Sequence, residues 1–191
     1  MKILAINGSP RKNGNTAKLL DTVLEVCEQA GLDIQLYQAG GRDVHGCRGC
    51  TACWQNKGRC VIDDWMNELY LKMKAADALV LGSPTYCFNV TSEIKSIIDR
   101  TSYISRADGF AFSRKVAAGV SAVRRAGGIT TLDSMQRFFL INDMIVPGST
   151  YLNVSLACTV GDAEKDDEGM RTMRRLGENI VWLLKKIHAA A

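Results

Sequence analysis

The sequence is short of the features that mark several large protein classes. Its longest apolar runs, such as residues 3–6 and 78–81, are far too short for a helix to cross a bilayer. It has only 3 prolines and 17 glycines in 191 residues, which excludes disordered and collagen-like chains. Charge of one sign is also scarce. The 24 Lys+Arg against 20 Asp+Glu leave +4, without the concentrated basic footprint that nucleic acids demand. Neither a nucleic-acid nor a membrane partner is expected. Met1 leads straight into a strand-like run with no apolar signal region, so a cytoplasmic location is expected. Two phosphate-binding signatures are missing as well. The first glycine-containing loop matches neither the Walker A spacing nor G-x-G-x-x-G, so a nucleoside triphosphate or a Rossmann-bound dinucleotide is not its natural ligand.

What remains suffices for one core. At 47% hydrophobic and 23% charged, the chain is expected to fold as a single domain over residues 1–191. Strand-like and helix-like patterns alternate along it. Residues 2–6, 78–82 and 116–120 are short apolar runs, as central parallel strands covered on both faces would be, and a further strand is expected near residues 144–146. Ile34 and Leu36 alternate with polar neighbours, which predicts a half-exposed edge strand. Helical spacing starts at Thr16, after Asp63 or Asp64 as a cap, after Thr91, over about 130–141, and through Met170, Met173, Ile180, Leu184 and Ile187. Five strands with intervening helices predict a doubly wound α/β sheet of order 2-1-3-4-5, with ligands beyond the carboxyl ends of the strands.

Three loops carry chemistry. The first, Asn7-Gly8-Ser9-Pro10-Arg11-Lys12-Asn13-Gly14-Asn15-Thr16, joins a strand to a helix. Its backbone N–H groups, the Ser9 and Thr16 hydroxyls, the Asn13 and Asn15 amides and the Arg11 cation suit a phosphate monoester, although an ordinary polar loop has the same composition. The string I-N-G-S-P-R-K-N-G-N-T resembles the phosphate loop of the NADPH-dependent FMN reductase family, which has a flavodoxin-like fold. The resemblance implies a three-layer sandwich, with Ser9, Arg11, Asn13, Asn15 and Thr16 holding the FMN phosphate. A second loop, Gly82-Ser83-Pro84-Thr85-Tyr86-Cys87-Phe88-Asn89, is similar to the family's G-S-P-x-Y segment, and Lys95 with Asp99-Arg100 repeats its K-x-x-x-D-R. By that resemblance Pro84, Thr85, Tyr86, Cys87, Phe88 and Asn89 wrap the isoalloxazine ring. Cys87 also reads as a small buried hydrophobe, the favoured reading, and Cys27 and Cys158 read as core cysteines.

The third loop holds four of the seven cysteines within 14 residues, Cys47-x2-Cys50-x2-Cys53-x6-Cys60, in an insertion at about 44–62. In a chain without an export signal such clustering points to metal or redox chemistry rather than disulfides. A [4Fe-4S] cluster, redox-active thiols and structural zinc are the readings, in that order. Together with the two flavin-type loops and the following Val61-Ile62-Asp63-Asp64, the motif narrows the resemblance to the iron-sulfur flavoproteins. This implies Cys47, Cys50, Cys53 and Cys60 as metal ligands, on the same edge of the sheet as the flavin. Gly46, Arg48 and Gly49 would bring backbone N–H groups to the sulfurs, and Trp54 would shield them. Near residues 121–128, Ser121 and Gly127 read as flavin neighbours, while Arg124-Arg125 reads as a solvated basic pair or as a partner for a nicotinamide phosphate.

The function expected is an FMN-dependent oxidoreductase coupling FMN to the cluster. NAD(P)H or a reduced ferredoxin would be the donor, and quinones, oxygen species or another carrier the acceptors. If the cluster of one subunit serves the flavin of its neighbour, as the family suggests, a homodimer or homotetramer is required. The alternatives are a cluster-free NAD(P)H-dependent FMN or quinone reductase and, third, a thiolate metal-binding or redox-sensing protein without flavin.

Overall fold

A computed structural model describes residues 1–189 of the chain. Five parallel strands, β1 (Lys2–Asn7), β2 (Asp33–Gln38), β3 (Ala78–Pro84), β4 (Val116–Val123) and β5 (Val154–Leu156), form one sheet in the expected order β2-β1-β3-β4-β5. Side chains alternate across it with the strand period of two. Leu4, Ile6, Leu79, Leu81 and Ala117 face α2 (Trp65–Ala75), α3 (Ser92–Ala107) and α4 (Gly128–Ile141). Ile3, Ala5, Ala78, Val80, Val116 and Ala118 face α1 (Asn15–Gln29) and α5 (Asp167–Ala189). Both faces are dry, which is why the central strands read as unbroken apolar runs. Among the described residues no helix is long and apolar enough to cross a membrane.

The caps follow the chemistry of the sequence. Asp64, rather than Asp63, caps α2 by accepting the Met66 N–H, and the Thr91 hydroxyl accepts the Ile94 N–H at the start of α3. Helix α4 begins two residues earlier than its apolar pattern suggests, because Gly127 at φ +93° forms its cap and only glycine takes that conformation freely. On β2 the alternation is shifted: Tyr37 is the buried residue and Leu36 is exposed, since the face that carries Leu36 is not covered at that end of the edge strand.

The fifth strand is not at residues 144–146. Ile145 makes one isolated bridge to Val116, with hydrogen bonds from Ile145 N to Lys115 O and from Ala117 N to Ile145 O. Pro147 then ends the pairing, because it has no N–H to continue the ladder. The chain swings out and returns at residues 153–156, where Asn153 O accepts the Ser121 N–H and Val154–Leu156 pairs with residues 121–123. Between the two contacts the Asn153 amide donates to Gly119 O, so a side chain closes the gap in the sheet edge.

Helix α1 packs directly against α5. A Cβ on Gly177 would stand 2.9 Å from Val26 Cβ and 3.0 Å from Val23 O, so glycine sets the approach of the two helices. Gly177→Val is expected to destabilise the fold by about 1–3 kcal/mol through overpacking. At about 2–4 °C per kcal/mol this is a fall in Tm of several degrees, read by circular dichroism.

Candidate functional site

The carboxyl ends of β1, β3 and β4 enclose a pocket of about 150 Å³ lined by Ser9, Arg11, Gly14, Asn15, Thr16, Pro84, Thr85, Tyr86, Ala122, Arg124, Ala157 and Cys158. Its floor is the start of α1. Gly14 occupies the cap position with no side-chain hydrogen bond, so the first N–H groups of α1 have no capping partner, and no acidic residue stands in that first turn. Ser9 and Thr16 are buried beside these donors, while Arg11 reaches in from the exposed loop. Uncapped N–H groups, two hydroxyls and a guanidinium form a receptor for a phosphate-like anion.

A polar network sets the loop's shape. Gln38 accepts from the Asn7 amide and donates to Ser9 O and Gly40 O, and Asn7 Oδ1 accepts the Ser9 N–H at 3.0 Å. Gly8 N donates to Gly82 O at 2.8 Å, which ties the loop after β1 to β3. Asn13 is exposed and does not line the pocket. Asn15 lines it, but its amide donates to Thr159 O and accepts from Gly161 N and Ala163 N. It thereby ties the loop after β5 to the pocket. Arg124 and Cys158 also reach this wall. Sequence reasoning left Arg124 without a definite role, and the Asn15 bridge that brings in residues 157–163 has no local sequence signal.

The loop after β3 is a tight turn. Tyr86 and Asn89 exchange both backbone hydrogen bonds, 2.8 and 2.9 Å, across Cys87 at φ +46° and Phe88 at φ +63°. Two consecutive non-glycine residues in the left-handed region carry strain, which persists only where the surroundings impose it. Here α4 imposes it: Thr130 donates to Phe88 O, Ser134 donates to Asn89 Oδ1 at 2.7 Å, and Thr85 Oγ1 lies 3.0 Å from both Ser121 Oγ and Thr131 Oγ1. Ser121 is fully buried and braces Thr85 from below, while Gly127 packs against Phe88. Tyr86, Cys87, Phe88 and Asn89 are all exposed, and of these four only Tyr86 lines the pocket. Cys87 is therefore not a buried hydrophobe, since the turn holds it at an exposed tip. Cys158 is likewise no core residue; it follows the edge strand in a loop whose Cys158 and Thr159 N–H groups bond Asp162. The Thr159 backbone and hydroxyl hold the Asp162 carboxyl well below the usual carboxylate range. Cys27 is a core cysteine, its thiol pushed up to about 12 by burial.

The cysteine loop leaves the sheet at its carboxyl edge but does not stay there. Cys47, Cys50, Cys53 and Cys60 line one cleft of about 20 Å³ together with Arg100, Tyr103 and Ile104 of α3. Arg100 lies nine positions past the Thr91 cap, about 14 Å along the helix axis at 1.5 Å per residue. Within one chain the cysteines thus flank α3 instead of sharing the flavin-type edge. Cys47 and Cys50 are on the exposed limb, with Gly49 N donating to Cys47 Sγ at 3.5 Å, whereas Cys53 and Cys60 are on the inner wall. Burial pushes the Cys53 thiol up against a backbone hydrogen bond that lowers it, and neighbouring Cys60, Cys47 and Cys50 push it further. Trp54 is half exposed and is not among the residues that line the cleft. Among the described residues no three His, Cys, Asp or Glu side chains converge on one point to hold a single ion. A four-iron cluster takes its thiolates from around a core of several irons and does not need that convergence. Lys95 and Asp99 form a surface pair, while Arg100 is buried under the cleft, a role the sequence pattern does not reveal.

The family model of NADPH-dependent FMN reductases matches residues 1–158. An iron-sulfur flavoprotein of Methanocaldococcus jannaschii is 34% identical over 194 residues, spanning 98% of this chain and 99% of that protein. The chain belongs to the NADPH-dependent FMN reductase family, among its iron-sulfur flavoproteins. An iron-sulfur flavoprotein of Methanosarcina thermophila is also 34% identical, over 98% of this chain and 97% of that protein. Solved structures share the flavodoxin-like fold at lower identity. RosB superposes with a TM-score of 0.80 at 17% identity, over 99% of this chain and 81% of that one, and a flavodoxin, WrbA-like protein from Agrobacterium tumefaciens with 0.66 at 15%, over 97% and 98%. Membership makes the chain a flavoprotein of an oxidoreductase family whose flavin is FMN.

Gly127 leaves no room for a side chain behind the 85–89 turn. A Cβ there would stand 2.9 Å from Phe88 Cα and from Thr85 Cγ2. Gly127→Ala is expected to displace the 85–89 turn and to weaken FMN binding by about tenfold or more, about 1.4 kcal/mol. Quenching of FMN fluorescence measures it, with unchanged far-UV circular dichroism as the control.

Proposed function

We propose that this chain is an FMN-dependent oxidoreductase in which one domain holds FMN at the carboxyl edge of the sheet and a [4Fe-4S] cluster at Cys47, Cys50, Cys53 and Cys60. The observation that carries the reading is that all four cysteines of the loop line a single cleft in a chain of a flavin-binding family. The names of the curated relatives support it.

The start of α1, Ser9, Arg11 and Thr16 receive the FMN phosphate, with Arg124 facing it across the pocket. Asn13 is left to the loop's outer side, and Asn15 acts by fixing the wall. The strained turn of residues 84–89 presents backbone donors and the apolar sides of Tyr86 and Phe88 to the ring, held there by Ser121, Thr131 and Gly127. When bound, FMN exchanges electrons in pairs as hydride and the cluster exchanges them singly, which links two-electron to one-electron partners. The chain contributes binding, orientation and field. NAD(P)H or a reduced ferredoxin is the donor class, and quinones, oxygen species or a carrier protein the acceptors. The distance of the cleft down α3 from the flavin edge favours a homo-oligomer in which the cluster of one subunit serves its neighbour's flavin.

A cluster-free flavin reductase is the second reading, favoured by the small space between the cysteines, about 20 Å³. Anaerobic reconstitution followed by iron, sulfide and FMN assays separates the two. About four iron, four sulfide and one FMN per chain are expected. Cys50→Ser is expected to lose the iron and keep the flavin, and Ser9→Ala with Arg11→Ala to do the reverse. FMN without iron would leave the second reading.

A further inference from the structure

The inner wall of the cysteine cleft is a charge. Arg100 is 1% exposed and is the largest fully buried side chain of the molecule. A guanidinium taken out of water must have its N–H groups satisfied, and an apolar side chain would wall the cleft more cheaply. Nη1 and Nη2 donate to Asp64 Oδ2 and Oδ1 at 2.6 and 2.8 Å, and they reach His45 O and Ile62 O at 3.3 Å. These two carbonyls flank the cysteine loop on either side, so the guanidinium staples its ends together. Nε is different. It is buried and has no hydrogen-bond partner among the described residues. Arg100 lines the cleft with the four cysteines, and Cys60 lies beside its guanidinium. The one unsatisfied donor of a fully buried cation therefore belongs to the side chain that forms the floor of the sulfur cleft.

We propose that Arg100 sets the reduction potential of the cluster, through an Nε–H hydrogen bond to a cleft sulfur and through its positive charge, with Asp64 limiting how much of that charge the cluster feels. The inference rests on the cluster reading and adds to it a tuning group outside the ligand set. Added negative charge on reduction is favoured by a nearby cation and by hydrogen bonds to sulfur, and disfavoured by a nearby anion. The two partners should then act in opposite directions, whereas a purely structural staple would not.

The test is a redox titration of the reconstituted protein, following the cluster by electron paramagnetic resonance. Replacing both partners with neutral groups, Arg100→Gln with Asp64→Asn, removes the charge and the Nε donor without leaving a buried unpaired ion. It is expected to shift the one-electron equilibrium at least tenfold towards oxidised cluster, a fall of about 59 mV. Asp64→Asn alone keeps a good helix cap for α2 and is expected to shift the midpoint upwards. This single variant decides the matter if the double variant does not fold. Iron content that falls while the midpoint stays fixed, or two shifts of the same sign, would overturn the proposal. A wild-type chain that binds FMN but no iron after reconstitution would overturn it together with the cluster reading, so the two failures are distinguishable.

Discussion

A buried guanidinium with a two-pronged carboxylate partner ties the cysteine loop to two of the helices that cover the sheet. Arg100 sits on α3, and Asp64 starts α2. Their ion pair, with the bonds to His45 O and Ile62 O, closes the ends of the cysteine loop and ties the start of α2 to α3. Breaking one side of such a pair strands a charge in a dry interior, which is a steep penalty in either direction. The same α3 is anchored at its first turn, where the Thr91 hydroxyl donates to Gly8 O and the Thr91 N–H donates to Ser83 Oγ. One helix is therefore pinned at its start to the phosphate-type loop and midway to the sulfur cleft. Neither site can shift far without moving the other's support.

The sheet supplies the rest of the geometry. Parallel strands covered on both faces place every strand-to-helix loop at one edge, and that edge gathers the loops after β1, β3, β4 and β5 around one pocket. Rigidity comes from hydrogen bonds between loops: Gln38 to Ser9, Asn15 to residues 159–163, and α4 to the 85–89 turn. The left-handed pair Cys87 and Phe88 shows how firmly this is imposed, because an unsupported turn would relax.

Strand order and the places of the three loops are legible because they rest on pattern: apolar runs of strand length, small polar residues before a helix, and closely spaced cysteines. The strand near residue 145 is not. Residues 144–146 are as apolar as a strand and do touch β4, but continuous pairing needs N–H groups that Pro147 lacks, and the edge is completed from Val154. Cys87 and Cys158 read as buried because cysteine is small and apolar by composition, whereas their exposure is set by turn geometry that the string does not show. Arg100 stood in a recognisable motif beside Lys95 and Asp99, yet nothing in the string separates the surface pair from the buried cation. Its partner lies 36 residues away, and only folding brings them together. The bridge from Asn15 to the C-terminal third spans still more sequence, about three-quarters of the chain.

The uncapped start of α1 and the sulfur cleft over Arg100 are where the proposed pair of redox groups, FMN and a cluster, would sit. The most direct measurement is an anaerobic reductive titration of the reconstituted protein, counting electrons taken up per chain. Two electrons for FMN and one for the cluster predict three in total. An uptake of two, with the visible spectrum of flavin alone, would contradict the account.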